Sequence, residues 1–179
     1  MRTGYSHEKL AALAENASFL VLALALSYVE ALIPLSLLSP IPGVKLGLAN
    51  LAVLLAVYRN GFFSGAAVSL ARVILSAVLF GSVSSLAFSL GGALLSLLML
   101  ALLRPLYGRF CSWIGISAAC AAAHNGGQIL VAAFWMHDSA VFLYLPVLFA
   151  AAAVTGTLTE VMANLAVSHL PPKEKRSTS

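Results

Sequence analysis

Charge is scarce in this chain. Lysine, arginine, aspartate and glutamate make up 9% of its 179 residues, against about 25% in a soluble domain, which excludes an ordinary water-facing globular surface. Aspartate is nearly missing, Asp138 being the single one. Prenyl transfer or headgroup chemistry in a bilayer relies on clustered aspartates that hold magnesium against a diphosphate, and one aspartate cannot form that cluster. No glycine-rich phosphate loop occurs, so the chain does not power itself with ATP. The pairs His124-Asn125 and His137-Asp138 come without a nucleophile at triad-like spacing. These residues point away from an enzyme and from a bound cofactor. Cysteine is limited to Cys111 and Cys120. Nine helical residues hold them about 13 Å apart, beyond the roughly 7 Å limit for bridging, so neither a disulfide nor a metal cage is expected. The Lys and Arg residues are scattered singly, without the basic stripe that nucleic acid would need.

What is abundant is apolar. The hydrophobic share is 61%, the mean hydropathy is +0.98, and six apolar runs cover the length: Leu10–Ile33, Leu46–Tyr58, Phe62–Phe80, Leu86–Leu103, Trp113–Met136 and Phe142–Leu170. At about 20 residues per span the chain has room for roughly six helices and no separate catalytic domain. The expectation is an all-α integral membrane protein with six transmembrane helices over residues 10–170 and short polar tails at 1–9 and 171–179. Arg2, Lys9, Arg59, Arg104, Arg109, Lys173, Lys175 and Arg176 fall at the tails and the second and fourth connections, against Lys45 alone on the other side. That asymmetry predicts a multi-pass protein of the cell membrane with both termini cytoplasmic. Reading the first run as a cleaved leader is disfavoured by Glu8 and Glu15 before its core.

Two features depart from six plain rods. Pro34, Pro40, Pro42 and Gly43 break the chain between the first two helices, yet the stretch is too apolar for a solvated loop. The run that follows predicts a helix of about 20 Å, short against a hydrocarbon core of about 30 Å. Irregular backbone at membrane depth is tolerated where it is buried in protein or lines a wet cavity. A pocket beneath this broken outer loop is expected.

Ionisable groups inside a span cost about 2.5 to 3.5 kcal/mol each on the lenient insertion scale. Arg72 lies eleven residues after Gly61, His124 eleven after Trp113, and Glu160 eleven before Pro171, which places all three about 16 Å from one surface. The expected pairing is Arg72 with Glu160, His124 close by. A plain ion pair clipping helices together is the alternative. Asn125, Gln128 and Asn164 beside them make the polar set larger than a clip needs, and Glu30, Lys45 and Asn50 form a second set nearer the outer surface. The residues expected to line a substrate pocket are Lys45, Asn50, Arg72, His124, Asn125, Gln128 and Glu160, with Arg72 and Lys45 supplying charge for an anionic group and the amides fixing orientation. Small residues form ridges on several helices. On the first, Ala14, Ser18, Ala23 and Ser27 are expected to face a partner protein.

The segments IPGVKLGLANLAVLLAVY (Ile41–Tyr58), SLARVILSAVLFGS (Ser69–Ser82), FSLGGALLSLLML (Phe88–Leu100), AHNGGQILVA (Ala123–Ala132) and YLPVL with VTG (Tyr144–Gly156) resemble the bacterial Gx transporter family, which also carries the description heptaprenyl diphosphate synthase component I. That family is similar to the substrate-binding S components of energy-coupling factor (ECF) transporters. The resemblance implies a six-helix bundle that captures a small molecule from outside under its first loop and works with a separate ATP-driven module. The other description leaves open a non-catalytic membrane subunit of isoprenoid or quinone metabolism, associated with a heptaprenyl diphosphate synthase.

Overall fold

A computed structural model describes residues 3–32, 48–108 and 110–169. Among these the chain is helical, in the order α1 (Thr3–Leu32), α2 (Asn50–Asn60), α3 (Phe62–Phe80), α4 (Val83–Leu103), α5 (Trp113–Met136) and α6 (Leu145–His169), with short 3₁₀ turns at Arg104–Leu106 and Ser139–Tyr144. The breaks follow local chemistry. Gly61, at φ 89°, is the whole connection between α2 and α3, a backbone state that side chains with a Cβ rarely adopt. Ser82 and Ser112 cap α4 and α5, accepting from the amides of Ser85 and Gly115 at 3.2 and 3.1 Å.

The distribution of side chains is the reverse of that in a soluble bundle. Phe63, Phe134 and Leu143 are 87%, 79% and 79% exposed, while Arg72, Glu30, Glu160, His124 and Gln128 are buried. An apolar exterior around a polar interior is what a lipid solvent demands. Four helical stretches, Lys9–Leu32, Phe62–Phe80, Val83–Leu106 and Ser139–Ala166, are long and apolar enough to cross a membrane. Six such spans were expected from the runs, and the two others differ for physical reasons. The eleven residues of α2 reach only about 16 Å. The α5 helix is long enough at 24 residues, but His124, Asn125 and Gln128 lower its hydropathy.

Packing arranges the helices around α2 and α5. The α5 helix lies between α4 and α6; α2 lies among α1, α3 and α6; and α3 joins the halves by packing on both α1 and α4. Leu51 through Val57 of α2 are all buried, so this short helix shows no lipid face along its middle. The N-terminal half of α1 and the C-terminal half of α6 lie at the same end of the bundle, where Phe19, Tyr58, Ala163 and Ala166 share one apolar cluster. The α1 helix starts at Thr3, inside the stretch expected as a tail. The proline-containing outer loop and the final tail lie outside the described residues.

That end is tied by polar contacts. Arg59 Nε donates to Glu15 Oε1 at 2.6 Å, Asn60 Nδ2 to Asn16 Oδ1 at 2.9 Å, and Asn16 Nδ2 to Ser64 Oγ at 3.1 Å, linking α1, α2 and α3. Both members of the ion pair are partly exposed, and such pairs contribute about 0 to 1 kcal/mol. Glu15→Gln is therefore expected to lower thermal stability by a few degrees at most, with the difference shrinking in high salt. A larger loss in unfolding scans would show that the clasp is more than a surface pair.

Candidate functional site

The expected meeting of Arg72 with Glu160 does not occur. Arg72, 2% exposed on α3, turns to α1, where its Nη1 donates to Ser27 Oγ at 3.5 Å and the carboxylate that acts on it is Glu30, one turn further along. Its Nε and Nη2 find no hydrogen-bond acceptor. The physical reason is packing. The α3 helix lies on α1, α2 and α4, whereas α6 lies on α2 and α5, so equal depth does not bring the two side chains onto facing surfaces. Glu30, read from the sequence as part of an outer polar set with Lys45 and Asn50, is buried here; Lys45 lies outside the described residues.

Glu160 is wholly buried and is held by neutral donors. The Tyr58 hydroxyl of α2 donates a short hydrogen bond to its Oε1, and Asn164 Nδ2, one turn along α6, donates to the same oxygen at 3.0 Å. The Tyr58 ring meets Trp113 edge-on with centroids 4.8 Å apart, and Trp113 lies 4.7 Å from Tyr107. Trp113 thus joins Tyr58 and Tyr107 in one aromatic group beside the carboxylate.

His124, Asn125 and Gln128 form a third group, between α4, α5 and α6. The His124 and Gln128 Nε2 atoms are 3.2 Å apart, donor and acceptor depending on the ring tautomer. Asn125 Nδ2 donates to the Leu148 carbonyl at 2.8 Å and ties α5 to the start of α6. A Cβ at Gly92 would sit 2.8 Å from His124 Cε1, so glycine on α4 gives the imidazole its space. The structure thus brings together the three α5 residues but separates them from the Arg72–Glu30 and Glu160–Tyr58 groups.

A cavity of about 30 Å³ sits where α2, α3, α4, α5 and α6 converge. Its polar lining is Asn50, Ser69, Ser96, Ser117, Thr155 and Thr159. Of the expected pocket residues, Asn50 alone is on this wall. The hydroxyls of α4, α5 and α6 escaped a reading that looked for charges and amides. The four-residue spacing of Thr155 and Thr159, which puts both on one helix face, was the available signal.

The α1 ridge is split by the same packing. Ala23 and Ser27 are fully buried within the bundle, which corrects the expectation that they face a partner; Ala14 and Ser18 are exposed. Ser18 Oγ donates to the Ala14 carbonyl at 3.1 Å, leaving a smooth, small-residue patch on the outside of α1.

Compared with known proteins, the chain matches the family described as heptaprenyl diphosphate synthase component I over residues 19–166. Neither the search of curated proteins nor that of solved structures returns a match.

Proposed function

The chain belongs to the heptaprenyl diphosphate synthase component I family, and from that premise we propose that it is a membrane-embedded, non-catalytic subunit that binds a small molecule and carries it across the bilayer, as S components of ECF transporters do. The observation that supports this is the investment of polar groups in an interior surrounded by apolar surface: Arg72, His124, Asn125, Gln128 and Glu160 are all buried, and a hydroxyl-lined cavity lies where five helices meet. A scaffold needs none of this, since each such group is expensive at membrane depth. In this reading all six helices lie in the membrane, with both termini cytoplasmic. Asn50 contacts the substrate from the cavity wall, Arg72 offers its two unbonded N–H groups to an anionic portion, and the exposed Ala14–Ser18 patch is where an ATP-driven module would dock. Wild-type protein purified in nanodiscs should carry a small molecule identifiable by native mass spectrometry without ATP. Arg72→Ala should reduce its occupancy about tenfold or more, the equivalent of a lost charge-assisted hydrogen bond. Unchanged occupancy in that variant counts against the assignment of Arg72.

The family description favours a second reading, a membrane subunit that supports a heptaprenyl diphosphate synthase. Affinity purification from native membranes separates the two. A stable complex with a soluble prenyl synthase, and none with an ATPase module, reverses the order.

A further inference from the structure

We propose that the hydroxyl-lined cavity at the centre of the bundle is a sodium site, with Glu160 as its counter-charge. The lining is biased toward acceptors. Ser117 Oγ already donates to the Gly156 carbonyl at 2.9 Å and Thr155 Oγ1 to the Ala151 carbonyl at 3.0 Å, so both hydroxyls present lone pairs to the space. Ser69 and Thr159 are 4% and 5% exposed and, like Asn50, line the cavity. Six oxygen-bearing side chains from five helices thus surround room for one small ion. Among the described residues no basic side chain is on the wall. Hard cations favour such oxygen ligands, whereas thiolate and imidazole suit softer metals, and among the described residues no three His, Cys, Asp or Glu gather into a cage.

The charge balance points the same way. Glu160 follows Thr159 in α6 and stands one turn beyond Gly156, while its partner Tyr58 stands one turn beyond Leu54; Gly156, Thr159 and Leu54 all line the cavity. The Glu160 backbone is thus within one turn of α6, ~5.4 Å along its axis, of residues on the cavity wall. Its Oε2 has no hydrogen-bond partner, and no basic side chain pairs with it among the described residues. A buried carboxylate without a cation is strongly disfavoured, and a sodium ion in the adjacent oxygen shell supplies that cation. The site shares Asn50 with the substrate contact proposed above, but its test needs no substrate.

The experiment is thermal unfolding of the full-length protein in nanodiscs, at constant ionic strength, in sodium, potassium and choline chloride. Sodium is expected to raise Tm progressively with concentration while potassium and choline do not. The Ser69→Ala/Thr159→Ala double variant should lose most of that shift, and Glu160→Gln should lose it entirely. Shifts of equal size in all three salts, or a potassium shift that matches or exceeds sodium's, overturn the proposal. So does a sodium shift undiminished in the Ser69→Ala/Thr159→Ala protein, which retains the carboxylate and keeps the test informative where Glu160→Gln fails to fold.

Discussion

Gly127→Val is expected to lower Tm by roughly 6–12 °C or more and to reduce the yield of folded protein, while Gly126→Ala beside it leaves the fold intact and raises Tm by a few degrees. The two glycines differ in what surrounds them. A Cβ at Gly127 would lie 2.8 Å from the Gly91 carbonyl carbon and 2.9 Å from Gly92 Cα. Both are backbone atoms of α4 that no rotamer change can remove. Helices α4 and α5 would have to separate, and with them the contact that seats His124 against Gly92. Overpacking typically costs 1–3 kcal/mol and more where nothing yields; with valine's added methyls we expect about 3 kcal/mol or more, a fall of roughly 6–12 °C for a chain of this size. At Gly126 the nearest atom outside the helix is Leu95 Cδ2, at 4.0 Å. There the alanine relieves only the conformational freedom of glycine, about 0.5–1 kcal/mol in a helix interior. Yield and Tm of the two variants in parallel check the pair. Equal behaviour would mean that the α4–α5 seam is not the close backbone contact described above.

The contrast also marks what the sequence could and could not convey. The ends of α3 and α5 coincide with the apolar runs Phe62–Phe80 and Trp113–Met136: Gly61, Gly81 and Ser112 stand immediately outside three of them, and His137 in a left-handed conformation closes the fourth. The α4 helix begins three residues before its run, from Ser82 as cap, and α6 begins at Leu145 rather than Phe142, since the 3₁₀ turn absorbs the first residues of that run. Axial depth follows from 1.5 Å per residue and needs only a count. The direction in which a side chain faces needs the neighbour, and a sequence without pairing information does not supply it. A count of residues pairs Arg72 with Glu160, whereas in the structure the carboxylate acting on it is Glu30. By its place in the sequence Glu30 belongs to the outer polar set with Lys45 and Asn50, and the long α1 helix carries it into reach of Arg72. The cavity wall was harder to see for another reason. Serine and threonine are nearly neutral on hydropathy scales, and a helix can satisfy their hydroxyls with its own carbonyls, as Thr155 does with Ala151. A polar wall of this kind leaves no dip in an apolar run, whereas His124, Asn125 and Gln128 lower α5 visibly.

Tyr58→Phe is expected to lower stability by about 1–3 kcal/mol, a large effect for one oxygen atom, because it leaves the buried Glu160 with a single donor. Phenylalanine keeps the ring that packs edge-on against Trp113, so the loss reports the hydroxyl and not the stack. In a Glu160→Gln background the same change should matter less, since a neutral amide tolerates a missing donor better than a carboxylate does, and the double-mutant cycle should give a coupling of about 1 kcal/mol or more. Equal losses in both backgrounds would show that the short Tyr58–Glu160 contact carries no specific energy. The bond also matters for movement. It, the Arg59–Glu15 pair and the Asn60–Asn16 hydrogen bond are polar ties on the C-terminal end of α2, whose other end reaches the cavity through Asn50. Any passage of a molecule toward that end of the bundle requires α2 to part from α6 there. Cys120 lines the cavity and is buried, so in a Cys111→Ser protein its labelling by a small thiol reagent measures that parting. Labelling should be several-fold faster once the Tyr58 hydroxyl is removed. An unchanged rate alongside a lowered Tm would mean that the bond stabilises the bundle without latching α2.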